Sequence, residues 1–325
     1  MRVIYWDYGV FADSESERYA ENLRYLKAHV SELAFAGSDS KFYGLAPHNR
    51  FAVRAAEPCF KAMEQCGVTD LVLTSWGDTG SEVSPFAALP VIAYYGHRAN
   101  GGDPCAFQEK FSELHGDLSA FYLLDSANEL GGKNVGTTRN TSSKYLLYQD
   151  VFLGWMDKSV RDFSRVYKEH LSALEEAEKR TKEFAYLFRS QKTLLRALAE
   201  KYDLGVLIRA AYARKDRAGL NRIAKKRIPA AAAAIRRYAQ AFRRQWLREN
   251  KPFGLEVHEA RLGALLYRLE TCADRLSAYA AGKIKRIEEL EEDVPDSFGN
   301  GDDIVMLNWG ELISAGVVAE YNSYV

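Results

Sequence analysis

Asp70-Leu71-Val72-Leu73-Thr74-Ser75-Trp76-Gly77-Asp78-Thr79-Gly80 is the stretch on which the fold turns. Its first half is almost all apolar, as in a strand covered on both faces, and it becomes polar and aromatic within two residues. Two earlier stretches have the same form. Val3-Ile4-Tyr5-Trp6 is β-branched and aromatic and runs into Asp7-Tyr8, and Glu32-Leu33-Ala34-Phe35-Ala36 runs into a loop from Gly37 to Asn49. Between them, Tyr19, Leu23, Leu26 and Val30 recur at helical spacing within residues 16–30, and a second helix is expected over 50–65, restricted or kinked at Pro58. A third helix is expected from about Val83. Strands alternating with amphipathic helices make βαβ units and a parallel sheet. The polar and aromatic residues gather where each strand ends: Tyr5-Trp6-Asp7-Tyr8, Gly37 to Gly44, and Trp76 to Gly80. Such ends suit a binding site, and they equally suit ordinary turns and aromatic caps on a core.

From about residue 104 the pattern is helical. An apolar, aromatic segment spans 143–157, and long amphipathic helices are expected over 159–202, 216–250 and 255–292, with Pro229 marking a break or kink before the alanine run 230–234. An acidic, Gly-rich stretch, 288–303, reads as a linker, and 303–325 as a terminal docking segment. Arginines and lysines crowd residues 209–251. A basic helix can follow phosphates, but 44 basic and 44 acidic side chains balance over the chain, which favours a solvated face and argues against a protein that coats nucleic acid. No apolar run approaches the roughly 18 residues of a membrane span, and the first residues lack a signal peptide's apolar core. The cytoplasm is the expected compartment. Cys59, Cys66, Cys105 and Cys272 show no metal-ligand spacing, and Cys59 and Cys66 would lie about 10 Å apart along a helix, too far to bridge. Four buried or inert thiols, no metal and no cofactor are expected. Asn140-Thr141-Ser142 matches a glycosylation triplet, a chance match in a chain without a secretion signal.

Together the strand ends resemble the last three βα units of glycoside hydrolase family 20, the β-N-acetylhexosaminidases. Trp76-Gly77-Asp78-Thr79-Gly80-Ser81-Glu82 is similar to that family's final barrel strand, and Tyr5-Trp6-Asp7 to its Tyr-x-Asp on strand six. Closer still is a bacterial subgroup with a large helical C-terminal domain, through Phe35-Ala36-Gly37, Gly44-Leu45-Ala46-Pro47-His48-Asn49 and the run from Lys144 to Gly154. The resemblance implies a fold of α/β then all-α type. Residues 1–100 would be the C-terminal part of a (β/α)8 barrel, with three parallel strands, and 101–325 a helical domain with its acidic linker at about 288–303. It implies substrate-assisted cleavage of terminal N-acetylhexosaminides, in which the substrate's acetamido oxygen attacks the anomeric carbon, an Asp orients that group and the adjacent Glu protonates the leaving oxygen. In these terms Tyr5 is the tyrosine that binds the acetamido carbonyl, with Tyr8 as its alternative because strand phase is not fixed by sequence. Trp76 is a wall of the aromatic cage, and Asp7 and Asp78 hold sugar hydroxyls.

Two departures qualify the resemblance. Ser40 and Phe42 stand where the family's loop brings tryptophans; Phe42 can serve as an aromatic wall and Ser40 cannot. No Asp-Glu dipeptide occurs in the chain. The resemblance puts that pair and the substrate-clamping arginine on earlier strands, upstream of Met1, and three strands cannot close a barrel that takes about eight. The expectation is therefore the C-terminal part of a larger enzyme, inactive alone. The alternatives are a complementing half, active with an N-terminal partner, and a non-enzymatic helical scaffold or nucleic-acid binder.

Overall fold

The computed structural model describes residues 1–8, 15–42, 44–129, 142–294 and 314–317. The glycosylation triplet's Asn140 and Thr141, most of the terminal segment 303–325 and residues 295–303 of the acidic stretch lie outside the described residues. The chain divides into two compact units, one running to Asp125 and the other starting at Ser126.

In the first unit the strands β1 (Arg2–Trp6), β2 (Glu32–Ser38) and β3 (Asp70–Thr74) form a parallel sheet in sequence order. Tyr5 pairs with Phe35 and Phe35 with Leu71, while Trp6 pairs with Ala36 and Ala36 with Val72. Alternation along each strand sends these two rows to opposite faces. Helices α1 (Glu15–His29) and α2 (Asn49–Cys66) cover the first face. There Tyr5, Phe35 and Leu71 join Tyr19, Leu23, Cys59 and Met63 in one apolar cluster. Helix α3 (Leu89–Ala99) covers the same face, its Tyr95 ring lying so close to Gly37 that a Cβ there would sit 2.2 Å from the phenol oxygen. On the opposite face the edge strand stands open, Ile4 50% and Trp6 61% exposed, while the small Ala34 and Ala36 of the middle strand are buried. Consecutive strand order with every crossover helix on one side is a singly wound sheet.

Helix α2 runs unbroken through Pro58. Its first residues offer no side-chain cap, and the Asp125 carboxylate takes that place, accepting the Asn49 and Arg50 amides at 3.0 and 2.9 Å. Helices α4 (Phe107–His115) and α5 (Leu118–Tyr122) extend the unit through edge-on aromatic pairs, Tyr94 with Phe107 at 4.8 Å and Phe111 with Phe121 at 5.5 Å. Cys59, Cys66 and Cys272 are buried free thiols, and burial pushes Cys59 and Cys272 up to about 12. Cys105 is exposed.

The second unit has helices and their connecting turns, and no strand among its described residues: α6 (Ser142–Tyr148), α7 (Ser164–Arg180), α8 (Ala185–Lys201), α9 (Leu204–Ala213), α10 (Arg217–Arg222), α11 (Ile228–Glu249) and α12 (Leu255–Ala280). At Pro229 the helical hydrogen bonding changes without the chain leaving helix. The preceding turn, Ile223–Arg227, widens to a π-helix in which the Ile228 amide reaches the Ile223 carbonyl. Proline has no N–H for the carbonyl four residues back and would collide with it, so the wider turn lets one helical rod continue into α11.

Polar groups tie this unit together internally. Lys201, fully buried at the end of α8, donates to the Leu146 and Gln149 carbonyls at 3.0 and 2.7 Å and so satisfies the end of α6. Arg209 gathers the carbonyls of Phe152, Leu153, Glu289 and Glu292. Two nearby aspartates then diverge. Burial alone would raise Asp150, but its bond to Arg268 and the amides of Phe152 and Leu153 outweigh that and hold it below the usual carboxylate range. Asp157 has Arg209 Nε 3.7 Å away and no hydrogen-bond donor on either oxygen, so burial pushes it up to about 6.

Two outcomes follow. Gly37→Ala drives a methyl into Tyr95 and is expected to cost about 1–3 kcal/mol, read as a lower thermal midpoint with unchanged helix content. Because the folded carboxyl of Asp157 binds its proton more tightly than the unfolded one, its stabilising effect is complete below about pH 4 and is lost as pH rises through about 6. The stability gap between wild type and Asp157→Asn is thus expected to change by about 3 kcal/mol between pH 4 and pH 7, the wild type losing ground, in parallel urea titrations. A constant gap contradicts this account.

Candidate functional site

The carboxyl ends of the three strands converge at one end of the sheet. On the face opposite the helices, Trp6 lies 5.8 Å from Trp76, with ring planes 33° apart, and 5.7 Å from Tyr8, which in turn lies 6.3 Å from Phe42. The hydrogen bonds in this cluster have one consistent direction. Trp76 Nε1 donates to the Tyr8 hydroxyl at 2.7 Å, and Thr74 Oγ1 donates to the Gly37 carbonyl at 2.9 Å. Tyr8 and Thr74 share a short bond, so with the threonine proton committed to Gly37 the tyrosine proton goes to Thr74. Tyr8 is left with one acceptor lone pair.

Beneath the rings the end of β2 carries a buried pair, Asp39 and Lys41. Asp39 accepts Ser75 Oγ at 2.6 Å and the Lys41 amide at 3.1 Å, while its own amide donates to the Thr74 carbonyl at 3.1 Å. Lys41 Nζ donates to the Trp76 carbonyl at 2.9 Å. Burial raises the Asp39 carboxyl, a shift the Ser75 and Lys41 bonds only partly offset. Burial likewise lowers Lys41, against the charges of Asp39 and Asp78. Between the two, Ser40 takes a left-handed backbone, φ 55°, with its amide on Ser38 Oγ and its carbonyl facing His48 Nδ1. These bonds fix a conformation that a non-glycine residue adopts only at a cost. They clamp the ends of β2 and β3 together and set the Trp76 backbone.

The six residues marked out by the sequence fall into separate groups. Tyr8, Phe42 and Trp76 meet on the face opposite the helices, and Asp78 opens an exposed single turn, Asp78–Gly80, whose charge reaches Lys41. Tyr5 and Asp7 do share a face, as their spacing requires, but it is the helix-covered one. Tyr5 donates to Asp7 at 3.1 Å and accepts from Asn22 of α1 at 2.8 Å, and Arg18 of the same helix pairs with Asp7 at 2.6 Å. Trp6, Asp39 and Lys41 were not marked out. For Trp6 the signal was present, since a residue between Tyr5 and Asp7 must point the other way. For Asp39 and Lys41 only a long polar loop stood in the sequence.

Chemically the cluster is an aromatic surface with a hydroxyl acceptor at its centre and a charged rim, suited to the apolar face and the hydroxyls of a sugar. Among the described residues no group of three or more His, Cys, Asp or Glu side chains is arranged to hold a metal. Lys41→Met removes the bond to the Trp76 carbonyl and leaves Asp39 without its cation. It is expected to cost about 1–3 kcal/mol and to alter tryptophan fluorescence, whereas an unchanged spectrum and midpoint would mean that Lys41 does not set Trp76.

No curated protein matches the chain. The profile of the glycoside hydrolase 20C C-terminal domain matches residues 119–303, more than half of the sequence. The chain belongs to the glycoside hydrolase 20C family and carries its C-terminal domain.

Proposed function

We propose that the sheet unit is the sugar-facing wall of a β-N-acetylhexosaminidase barrel whose proton donor comes from polypeptide not contained in this sequence. The observation that carries the reading is the Trp6–Tyr8–Trp76 cluster at the carboxyl ends of a parallel sheet that carries no helix on that side among the described residues, in a chain of the 20C family. In a (β/α)8 barrel, helices cover the outside, the bare faces turn inward and the carboxyl ends carry the site; a singly wound three-strand sheet fits as one arc of it. Residues 1–100 would be that arc and the rest the helical domain.

In this reading Trp76 and Trp6 take the pyranose ring, Phe42 borders the pocket and Asp78 meets hydroxyls at the rim. Tyr8 rather than Tyr5 turns to the acetamido group. To donate to the carbonyl it exchanges its bond to Thr74 for one to the substrate, while Trp76 Nε1 keeps the hydroxyl in place. Tyr5 and Asp7 act one layer back, locking β1 to α1 through Asn22 and Arg18. The chain contains no Asp-Glu pair, so orientation of the acetamido group and protonation of the leaving oxygen fall to the complementing part of the barrel. The family's chemistry also makes N-acetylhexosaminides the substrates and that complementing half the partner. Arg227 pairs with Asp203 and Arg243 with Glu259 at 2.8 Å each, which disfavours reading the whole basic stretch as a nucleic-acid track.

The chain alone is expected to leave an aryl N-acetylglucosaminide intact, since loss of a general acid by itself removes roughly 10²–10⁴-fold. Supplied with a segment bearing the Asp-Glu strand, it is expected to turn over that substrate, with a loss of about 100-fold in Trp76→Ala as the sugar shifts. Hydrolysis by the isolated chain that survives Trp76→Ala, or complemented activity indifferent to it, sinks the reading.

A further inference from the structure

The second unit has a groove of about 630 Å³ between α10, with the π turn that follows it, and the end of α12. Two helical stripes face each other across it. Arg217, Asn221 and Lys225 stand at successive intervals of four along one rod, and Asp274 and Ser277, three apart, lie along the other. Lys283 closes one end. Its direction is set by the reversal at Gly282, φ 74°, where the Gly282 amide bonds the Tyr279 carbonyl at 3.0 Å and the Lys283 amide the Ala278 carbonyl at 2.9 Å. The position favours glycine. The backbone is left-handed, and a Cβ would stand 3.3 Å from the Arg217 guanidinium, which itself lies over the Tyr279 ring at 5.5 Å.

What marks this groove is the convergence of its charges. Among the described residues Arg217, Lys225, Lys283 and Asp274 form no ion pair, unlike Arg227, Arg243 and Arg275, each of which holds a carboxylate, and all four line the one opening. Three cations facing a single carboxylate, Asp274, around one opening of ligand-pocket size leave a net positive site suited to an anion. The single carboxylate, with the Asn221 amide and Ser277 hydroxyl, argues against a polyanionic strand. Such a set accepts and donates to hydroxyl groups while the cations take one charged ester. The π turn contributes directly, because it fixes which way Lys225 faces on a rod that would otherwise run as a regular helix. The residues of the aromatic cluster at the sheet ends take no part in this groove.

We infer that the groove binds a small polyol carrying one phosphate or sulfate ester, in the manner of a sugar monoester: the ester between Arg217, Lys225 and Lys283, and hydroxyls at Asn221, Asp274 and Ser277. This site is independent of the hexosaminidase reading and does not need the complementing half.

Calorimetric titration of the whole chain at low salt with glucose 6-phosphate, glucose 6-sulfate, inorganic phosphate and glucose tests it and separates the two esters. At least one glucose ester is expected to bind at least about tenfold more tightly than inorganic phosphate and glucose, and to lose at least about tenfold in the double variant Lys225→Ala, Lys283→Ala. Both lysines are exposed, so the variant is expected to keep its thermal midpoint. Asp274→Asn is expected to narrow the preference for the ester over inorganic phosphate. No binding by either ester at 10 mM concentration, on the order of the weakest specific affinities, overturns the inference. So does binding unchanged in the double variant, inorganic phosphate binding as tightly as the esters, or tighter binding of a short single-stranded oligonucleotide.

Discussion

The sheet unit depends on its two crossover helices, α1 and α2, and the following α3 all lying on one side. Tyr5, Phe35 and Leu71 bury against α1 and α2, and Tyr95 of α3 presses onto Gly37, the one residue of that face with no side chain to displace it. The other face carries no helix among the described residues. Everything about the site follows, because residues of odd and even parity on one strand then have opposite fates. Tyr5 becomes a core residue with its hydroxyl held by Asn22, and Trp6, next in sequence, an exposed ring beside Trp76.

The same economy shows at the strand ends. A buried aspartate and a buried lysine, each shifted toward neutrality by desolvation, stay in place because each has specific bonds: Ser75 and a backbone amide for Asp39, the Trp76 carbonyl for Lys41. Such a pair adds little as an attraction once desolvation is counted, but it fixes geometry, because any other arrangement would leave a buried charge unpartnered. The helical unit uses the same device with longer reach. Lys201 and Arg209 spend their donors on backbone carbonyls of distant segments, and Asp157, whose oxygens find no donor, is the group that carries the cost.

The hydrophobic periodicity placed the three strands and the first two helices to within a residue or two. Further on it was coarser: the helix expected from about Val83 begins at Leu89, the one expected over 159–202 is two, Ser164–Arg180 and Ala185–Lys201, and the one expected over 255–292 ends at Ala280. Two further overruns have a local cause. Thr74 ends β3 before Ser75 and Trp76, whose polar and aromatic side chains serve the loop. The apolar segment from Ser143 is helical only to Tyr148, because Asp150 then takes the Phe152 and Leu153 amides and turns the chain. The aromatic cluster was half legible. Trp76, Tyr8 and Phe42 could be marked by residue type, but Tyr5 and Asp7 satisfy the same spacing on the other face. Both rows, Tyr5–Phe35–Leu71 and Trp6–Ala36–Val72, are apolar, so the pattern alone does not distinguish inside from outside.

The sequence by itself determined that three short strands alternate with helices, that helices follow, and that polar and aromatic residues stand at the strand ends, since these rest on local spacing and backbone preference. Its ordered motifs carried the glycoside hydrolase family 20 resemblance as well. Only the tertiary structure decided which face of the sheet is covered, that Asp125 caps α2 from some 75 residues away, that Pro229 is absorbed in a π turn, and that Arg217, Lys225 and Lys283 share a groove. Each of those depends on partners far apart in the chain, and burial and hydrogen bonding between such partners leave no periodic trace in the order of residues.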